Sequence, residues 1–171
     1  RWCDNDMNAL GFPILSLILA VPLAAALWIL FAPGDDNGRA GNARIIALAA
    51  TLIDFVLGIV LWVKFDDTTA AFQFQENLPL FAPWFSWKLG IDGIGLMLIQ
   101  LSTFLMPICI LASWRSIERR VPEYMAAFLL METLMLGVFM AQDLFLFYIF
   151  FEAGLIPMYL IIGIWGGARR I

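Results

Sequence analysis

The chain has 171 residues, of which 63% are hydrophobic and 14% charged. Soluble domains carry about 25% charged residues, so a mean hydropathy of +0.89 points to an all-α integral membrane protein, with apolar runs of about 20 residues that are too long for barrel strands. A net charge of −4 without a basic patch argues against nucleic acid as a partner, and no His with only two Cys, Cys3 and Cys109, leaves zinc, haem and copper sites without ligands.

Residues 1–6 are polar, with charges of both signs, and Met7 reads as the natural start after a non-native or upstream tail. The first predicted span runs over about 10–31 without a charge, and Pro13 and Pro22 are tolerable in a transmembrane helix. A signal peptide is the competing reading, but the run is too long for a signal core and lacks a basic start. The stretch from Pro33 to Asn42 is rich in Gly, Asp and Asn and predicts a turn-rich loop. A second span over about 45–63 carries Asp54 near its midpoint. That acid is either kept neutral or hydrogen-bonded by a neighbouring helix, or it takes part in ion transfer.

Residues 64–90 form the longest connection. Ala71-Phe-Gln-Phe-Gln alternates apolar and polar residues and ends before Asn77-Leu-Pro, and Trp84-Phe-Ser-Trp87-Lys-Leu follows. This patterning predicts a short β-hairpin on the membrane surface, with Trp84 and Trp87 in an interfacial aromatic belt. Asp92 fits the N-cap of a third span over about 93–114, on which Gln100, Thr103 and Pro107 share a face suited to interhelical bonds. Pro122 and Glu123 suit the first turn before a fourth span over about 124–141. A short joint at Gln142-Asp143 leads into the fifth span, about 144–165. Asp143 reads as the cap of that helix or as a point of proton entry.

Helices one to five alternate sides. Arg39, Arg44, Arg115, Arg119, Arg120, Arg169 and Arg170 then share one side, and Arg1, Lys64 and Lys88 the other. The positive-inside rule puts the amino terminus and the hairpin outside and the carboxy end of the fragment inside.

The acids in the last two spans carry the chemistry. A carboxylate at the centre of a spanning helix costs about 2.5–3.5 kcal/mol to insert, so such residues are expected inside a bundle, and at work there. Tyr148, Glu152, Leu155 and Tyr159 recur at helical spacing and form one face, with Pro157 close by to break the backbone ladder. Glu132 and Glu152 each lie about ten residues, or some 15 Å, from the joint between their helices. Matched depth on adjacent helices predicts that burial and mutual repulsion raise both acids toward neutral pH, where they can take up and release protons as a relay. Two independently satisfied buried acids are the plainer alternative. No Lys or Arg occurs inside a predicted span, so a cationic partner for Glu152 is expected outside this stretch of sequence.

These residues resemble a known family. Phe151-Glu-Ala-Gly-Leu-Ile-Pro-Met-Tyr-Leu-Ile-Ile-Gly-Ile-Trp-Gly166 is similar to the fifth-helix signature of the antiporter-like membrane subunits of respiratory complex I, and specifically of its chain M (mitochondrial chain 4) branch. Phe128-Leu-Leu-Met-Glu132-Thr, Gly137-Val-Phe-Met-Ala-Gln-Asp143-Leu-Phe-Leu-Phe-Tyr148 and Leu89-Gly-Ile-Asp-Gly-Ile-Gly-Leu96 follow the same pattern in order, and the likeness runs from Met7 to the end. The resemblance implies the amino-terminal part, residues 7–171, of a fourteen-helix subunit in a bacterial cytoplasmic (inner) membrane. Its partners would be the lipid bilayer and the other membrane-arm subunits. It implies that Glu152 pairs with a lysine on a broken seventh helix, and that NADH oxidation and quinone reduction, with flavin mononucleotide and iron–sulfur clusters held elsewhere, drive protons through the subunit. This chain would itself hold no cofactor, metal or redox centre. A subunit of a monovalent cation/proton antiporter shares the Glu152 motif and is the alternative, and a five-helix scaffold is a poor fit to two intramembrane glutamates.

Overall fold

The computed structural model describes residues 13–32, 36–69, 71–81 and 85–166. Within them the order is α1 (Ile14–Phe31), α2 (Asp36–Lys64), β1 (Gln73–Phe81), β2 (Phe85–Ile91), α3 (Gly93–Ser113), α4 (Val121–Met140) and α5 (Leu144–Trp165). All five helices are long and apolar enough to cross a bilayer. Helix α4 sits at the centre and touches the other four, whereas α5 packs only on α4 and on β2. The Met7 start, the 1–6 tail and Trp84 lie outside the described residues.

The predicted spans match within a few residues, with one exception. Helix α2 begins at Asp36, well before the expected start near 45, so most of the expected loop from Pro33 to Asn42 is helical. Tertiary packing overrides the turn-like composition. Ala43, Ala47 and Ala50 recur at i, i+4 and i+7 and are all buried against Ala26, Ile29 and Met125, so this small-residue stripe holds the first turns in place. At about 1.5 Å per residue the helix exceeds a hydrocarbon core of about 30 Å, and its first turns lie beside the α3–α4 loop. Arg44 Nη2 donates to the Ile117 carbonyl at 2.9 Å. The Trp165 indole at the far end of α5 donates to the Arg119 carbonyl at 2.8 Å. Arg44, Arg115, Arg119 and Arg120 therefore gather at one end of the bundle and the hairpin at the other.

The hairpin is antiparallel, but its turn is not at Asn77-Leu-Pro. Asn77 pairs with Lys88 inside the ladder and β1 continues to Phe81 opposite Phe85. Two register shifts absorb the turn-prone residues. One of them, between Gln73 and Glu76, contains Phe74 at φ 52°. A bulge of this kind re-aims the following side chain. Here that side chain is Glu76, which accepts from the backbone N–H of Leu15 at 2.8 Å and of Ser16 at 3.1 Å. It also takes the Ser16 hydroxyl. Helix α1 has no side-chain cap of its own at Pro13, and Glu76 supplies one from the hairpin. The Trp87 indole donates to Ser16 Oγ at 3.3 Å and its ring meets Phe150 edge-on at 5.9 Å. The hairpin is thus a clamp over the helix ends. Gln142 N–H donates to the Lys88 carbonyl at 3.0 Å, and Leu89 bridges to Ala141. Gly90 leaves the room that the Gln142 side chain fills, since a Cβ there would lie 2.1 Å from its Nε2.

Candidate functional site

Two apolar cores occupy the two ends of the bundle. The core at the hairpin end contains Leu15, Ile18, Leu61, Ile99, Leu136 and Met140. The core at the arginine end contains Ala26, Ala47, Ala50, Ile110, Met125 and Leu129. In the inner helices most of the buried residues between the two cores are polar or irregular, Met106 on α3 being an apolar exception. On α2 they are Thr51, Asp54 and Gly58, on α3 Thr103, on α4 Glu132 and Thr133, and on α1 Pro22, all of them buried. Helical periodicity produces this layer. Asp54 lies four residues after Ala50 and seven before Leu61, on the stripe that packs. Glu132 likewise follows Leu129 by three and precedes Leu136 by four.

Asp54 and Glu132 are 0% and 1% exposed. None of their four carboxyl oxygens has a hydrogen-bond partner. They lie on helices in contact, α2 and α4, at the level between the two cores. The layer offers them few donors. Thr51 gives its hydroxyl proton to the Leu48 carbonyl, Thr133 to Leu129, and Thr103 to Ile99 and Gln100, all on their own helices. Gln100 Oε1, also unpartnered, lies where a Cβ on Gly58 would come within 2.9 Å of it. The shared face of Gln100, Thr103 and Pro107 does pack inward, but its Thr103 hydroxyl bonds within α3 rather than between helices.

Glu152 is placed differently. The buried residues of α5 are Leu146, Phe150 and Pro157. The stripe of Tyr148, Glu152, Leu155 and Tyr159 begins two residues on, about 200° around the helix. Tyr148 is 56% and Tyr159 76% exposed, and Glu152 and Leu155 are exposed between them. The predicted face is real, and the Tyr148 hydroxyl reaches the Glu152 carboxylate one turn away. It points away from these helices. The expected meeting of Glu132 with Glu152 therefore does not occur here, because equal depth fixes the level of a residue but not the direction it faces. Glu132 instead shares the buried layer between the cores with Asp54, on a helix that α4 touches. Asp143 caps α5 through its side chain, accepting from Phe145 N–H at 2.8 Å, and Asp92 caps α3 through Gly95 N–H at 2.7 Å.

Sequence reasoning missed Glu76 as the cap of α1 and the placing of Asp54 in one buried layer with Glu132. The first had no local signal, being 61 residues away from Leu15. The second was legible in the buried stripe shared with Ala47, Ala50 and Leu61. Among the described residues no group of three or more His, Cys, Asp or Glu could hold a metal ion, and Cys109 is free and exposed.

Comparison with known proteins adds the following. Residues 45–142 match the family described as NADH-ubiquinone oxidoreductase chain 4, amino terminus. Residues 141–170 match the family described as NADH:quinone oxidoreductase/Mrp antiporter, TM. The chain is 49% identical over 163 residues to NADH-quinone oxidoreductase subunit M of Rhodobacter capsulatus, covering 92% of this chain and 31% of that protein. It is 46% identical over 158 residues to NADH-ubiquinone oxidoreductase chain 4 of Arabidopsis thaliana, covering 91% of this chain and 31% of that protein. Subunit M of Rickettsia prowazekii is 38% identical over 164 residues, which make up 95% of this chain and 33% of the relative. The chain thus spans about a third of the length of these relatives.

Proposed function

This chain belongs to the NADH-ubiquinone oxidoreductase chain 4 family, and on that premise we propose that it is the amino-terminal part of a proton-translocating membrane-arm subunit of NADH–quinone oxidoreductase. The whole protein couples electron transfer from NADH to quinone, carried out by other subunits, to proton movement through buried acids. The chain is multi-pass, with five membrane-crossing helices among the described residues. Its partners are the other membrane-arm subunits, and flavin, iron–sulfur clusters and quinone are bound elsewhere in the assembly. The 49% identity to a bacterial subunit M supports a bacterial inner membrane. The arginines gathered at one end of the bundle support an orientation with that end in the cytoplasm and the hairpin outside.

The observation that carries this reading is the likeness to subunit M along 92% of the chain. The geometry supports a role for Glu152 within it. An acid and two phenols on one uncovered helix face are costly against acyl chains, and about two thirds of the relatives' length is available to cover that face. The cationic partner expected for Glu152 lies there in this reading. The antiporter alternative draws on the match over 141–170, whose description names both assemblies. The larger match over 45–142 names chain 4 alone and favours the first reading.

Glu152→Gln in the full-length protein within its assembled complex tests it. Proton pumping is abolished and coupled quinone reduction slows at least tenfold, about 1.4 kcal/mol or more in barrier. Glu152→Asp, which keeps an ionisable group at shorter reach, retains part of the activity. Wild-type pumping in Glu152→Gln overturns the role of this residue.

A further inference from the structure

The polar layer between the two cores holds two acids that the Glu152 stripe does not use. We propose that Asp54 and Glu132 together form a proton-binding site in the middle of the bundle, separate from Glu152. Its two carboxyls bind protons as one unit and always retain at least one.

Both side chains are fully buried, on touching helices, with every carboxyl oxygen unpartnered. Two carboxylates in one buried space cannot both ionise without a cation to offset them. Among the described residues of the five helices no cation is at hand. Helix α1 has no titratable residue between Ile14 and Phe31. Helix α3 has only Cys109, which is exposed. On α2 the charged groups other than Asp54 are Asp36, Arg39, Arg44 and Lys64, all at least ten residues from it. On α4, Glu123 and Tyr124 lie at least eight residues before Glu132, and on α5 Tyr148, Glu152 and Tyr159 face outward. The hydroxyl protons of Thr51, Thr103 and Thr133 are spent on helix carbonyls. Among the described side chains in this layer, the Gln100 amide and the acids' own protons are the donors that remain.

Acceptors are plentiful by contrast. Each threonine oxygen keeps free lone pairs, and Gln100 Oε1 is unpartnered. Pro22 on α1 has no N–H, so the Ile18 carbonyl is released from its helix bond. A site rich in acceptors and poor in donors is made for protonated carboxyls. An acid and a carboxylate that share a proton form the short, strong kind of hydrogen bond.

The inference does not rest on the role proposed for Glu152. Infrared difference spectra of the full-length protein in its complex, in ordinary and heavy water, read the protonated-carboxyl carbonyl band directly. The expected result is a band that shifts in heavy water and is lost or displaced as a whole in Asp54→Asn and equally in Glu132→Gln. The double variant removes whatever displaced band the single variants keep. Two bands removed separately, one per variant, would show independent acids and overturn the pair, as would a wild type with carboxylate bands only. A band displaced by sodium ions at constant pH would make this a metal-cation site and equally overturn the proposal. Should either single variant fail to assemble, the exchange Asp54→Glu with Glu132→Asp keeps both acids and restores a displaced band; its absence counts against the pair. Glu152→Gln leaves the band in place whether or not it stops pumping, so the two readings fail separately.

Discussion

Helices α4 and α5 are consecutive, similar in length and each carries a glutamate near its middle, yet they stand in opposite relations to the molecule. In the most apolar stretch of α4 half of the residues are buried, against 17% in α5. Helix α4 is surrounded by four others and its acid is sealed between two apolar cores. Helix α5 leans on α4 along the stripe of Leu146, Phe150 and Pro157, with Ile161 and Trp165 half-buried against the core at the arginine end, and most of its remaining surface, including Glu152, is uncovered. The difference teaches that composition alone does not decide the environment of an intramembrane acid. What decides it is whether the stripe that carries the acid coincides with the stripe that packs. For Glu132 it does, and for Glu152 it lies on the opposite side.

The comparison breaks most completely at Gly137. An added Cβ there would lie 2.6 Å from the Phe150 ring, where α5 packs on α4. Gly137→Leu should push the helices apart and abolish accumulation of assembled protein in membranes, measured by immunoblot against wild type. Accumulation at wild-type levels would mean that α5 is held by something other than this contact. The next effect separates the two faces. Leu136→Ala, at a position 0% exposed, should cost about 2–5 kcal/mol through the cavity it leaves. It should lower the melting temperature of the detergent-solubilised complex accordingly. Leu155→Ala, on the stripe of Glu152 and 45% exposed in these helices, should cost about 2 kcal/mol in the full-length protein if that stripe is covered there. A change within about 0.5 kcal/mol would instead mark the stripe as lipid-facing, and with it the place proposed for Glu152.

The span pattern was legible because hydropathy runs of about 20 residues are unambiguous and because Asp92 and Asp143 stand where helix N-caps belong. The parts that escaped did so for physical reasons. Asp36 to Asn42 reads as a loop from its Gly and Asn, but docking of Ala43, Ala47 and Ala50 carries the helix through it. Asn77-Leu-Pro reads as a turn, and the register shifts on either side let it pair instead. Within the site, Asp54, Glu132 and Glu152 were all found as intramembrane acids, since a lone charge in an apolar run needs no fold to be seen. The pairing of Glu132 with Glu152 was what the sequence did not support. Depth follows from counting residues along a helix, while facing follows from which neighbours are buried. For Glu132 the neighbours Leu129 and Leu136 held that information, and for Glu152 the neighbours Phe150 and Pro157 did.

The smallest effect sharpens the contrast at the helix starts. Helix α5, open along its length, is fixed at its beginning by its own Asp143, which accepts from Phe145 N–H. Helix α1, packed on α4 and α2, borrows its cap from Glu76 in the hairpin. A local cap is worth about 1 kcal/mol, and Asp143→Ala should lower stability by that amount without loosening the hairpin. Glu76→Ala removes charge-assisted bonds worth about 1.5–3 kcal/mol. It also frees the hairpin from α1, so protease cleavage within residues 64–90 should rise several-fold in Glu76→Ala and stay at the wild-type rate in Asp143→Ala. Equal cleavage in the two variants would show that the hairpin is held by β2 and the α4–α5 joint alone, with the Glu76 bonds contributing nothing to its hold on the bundle.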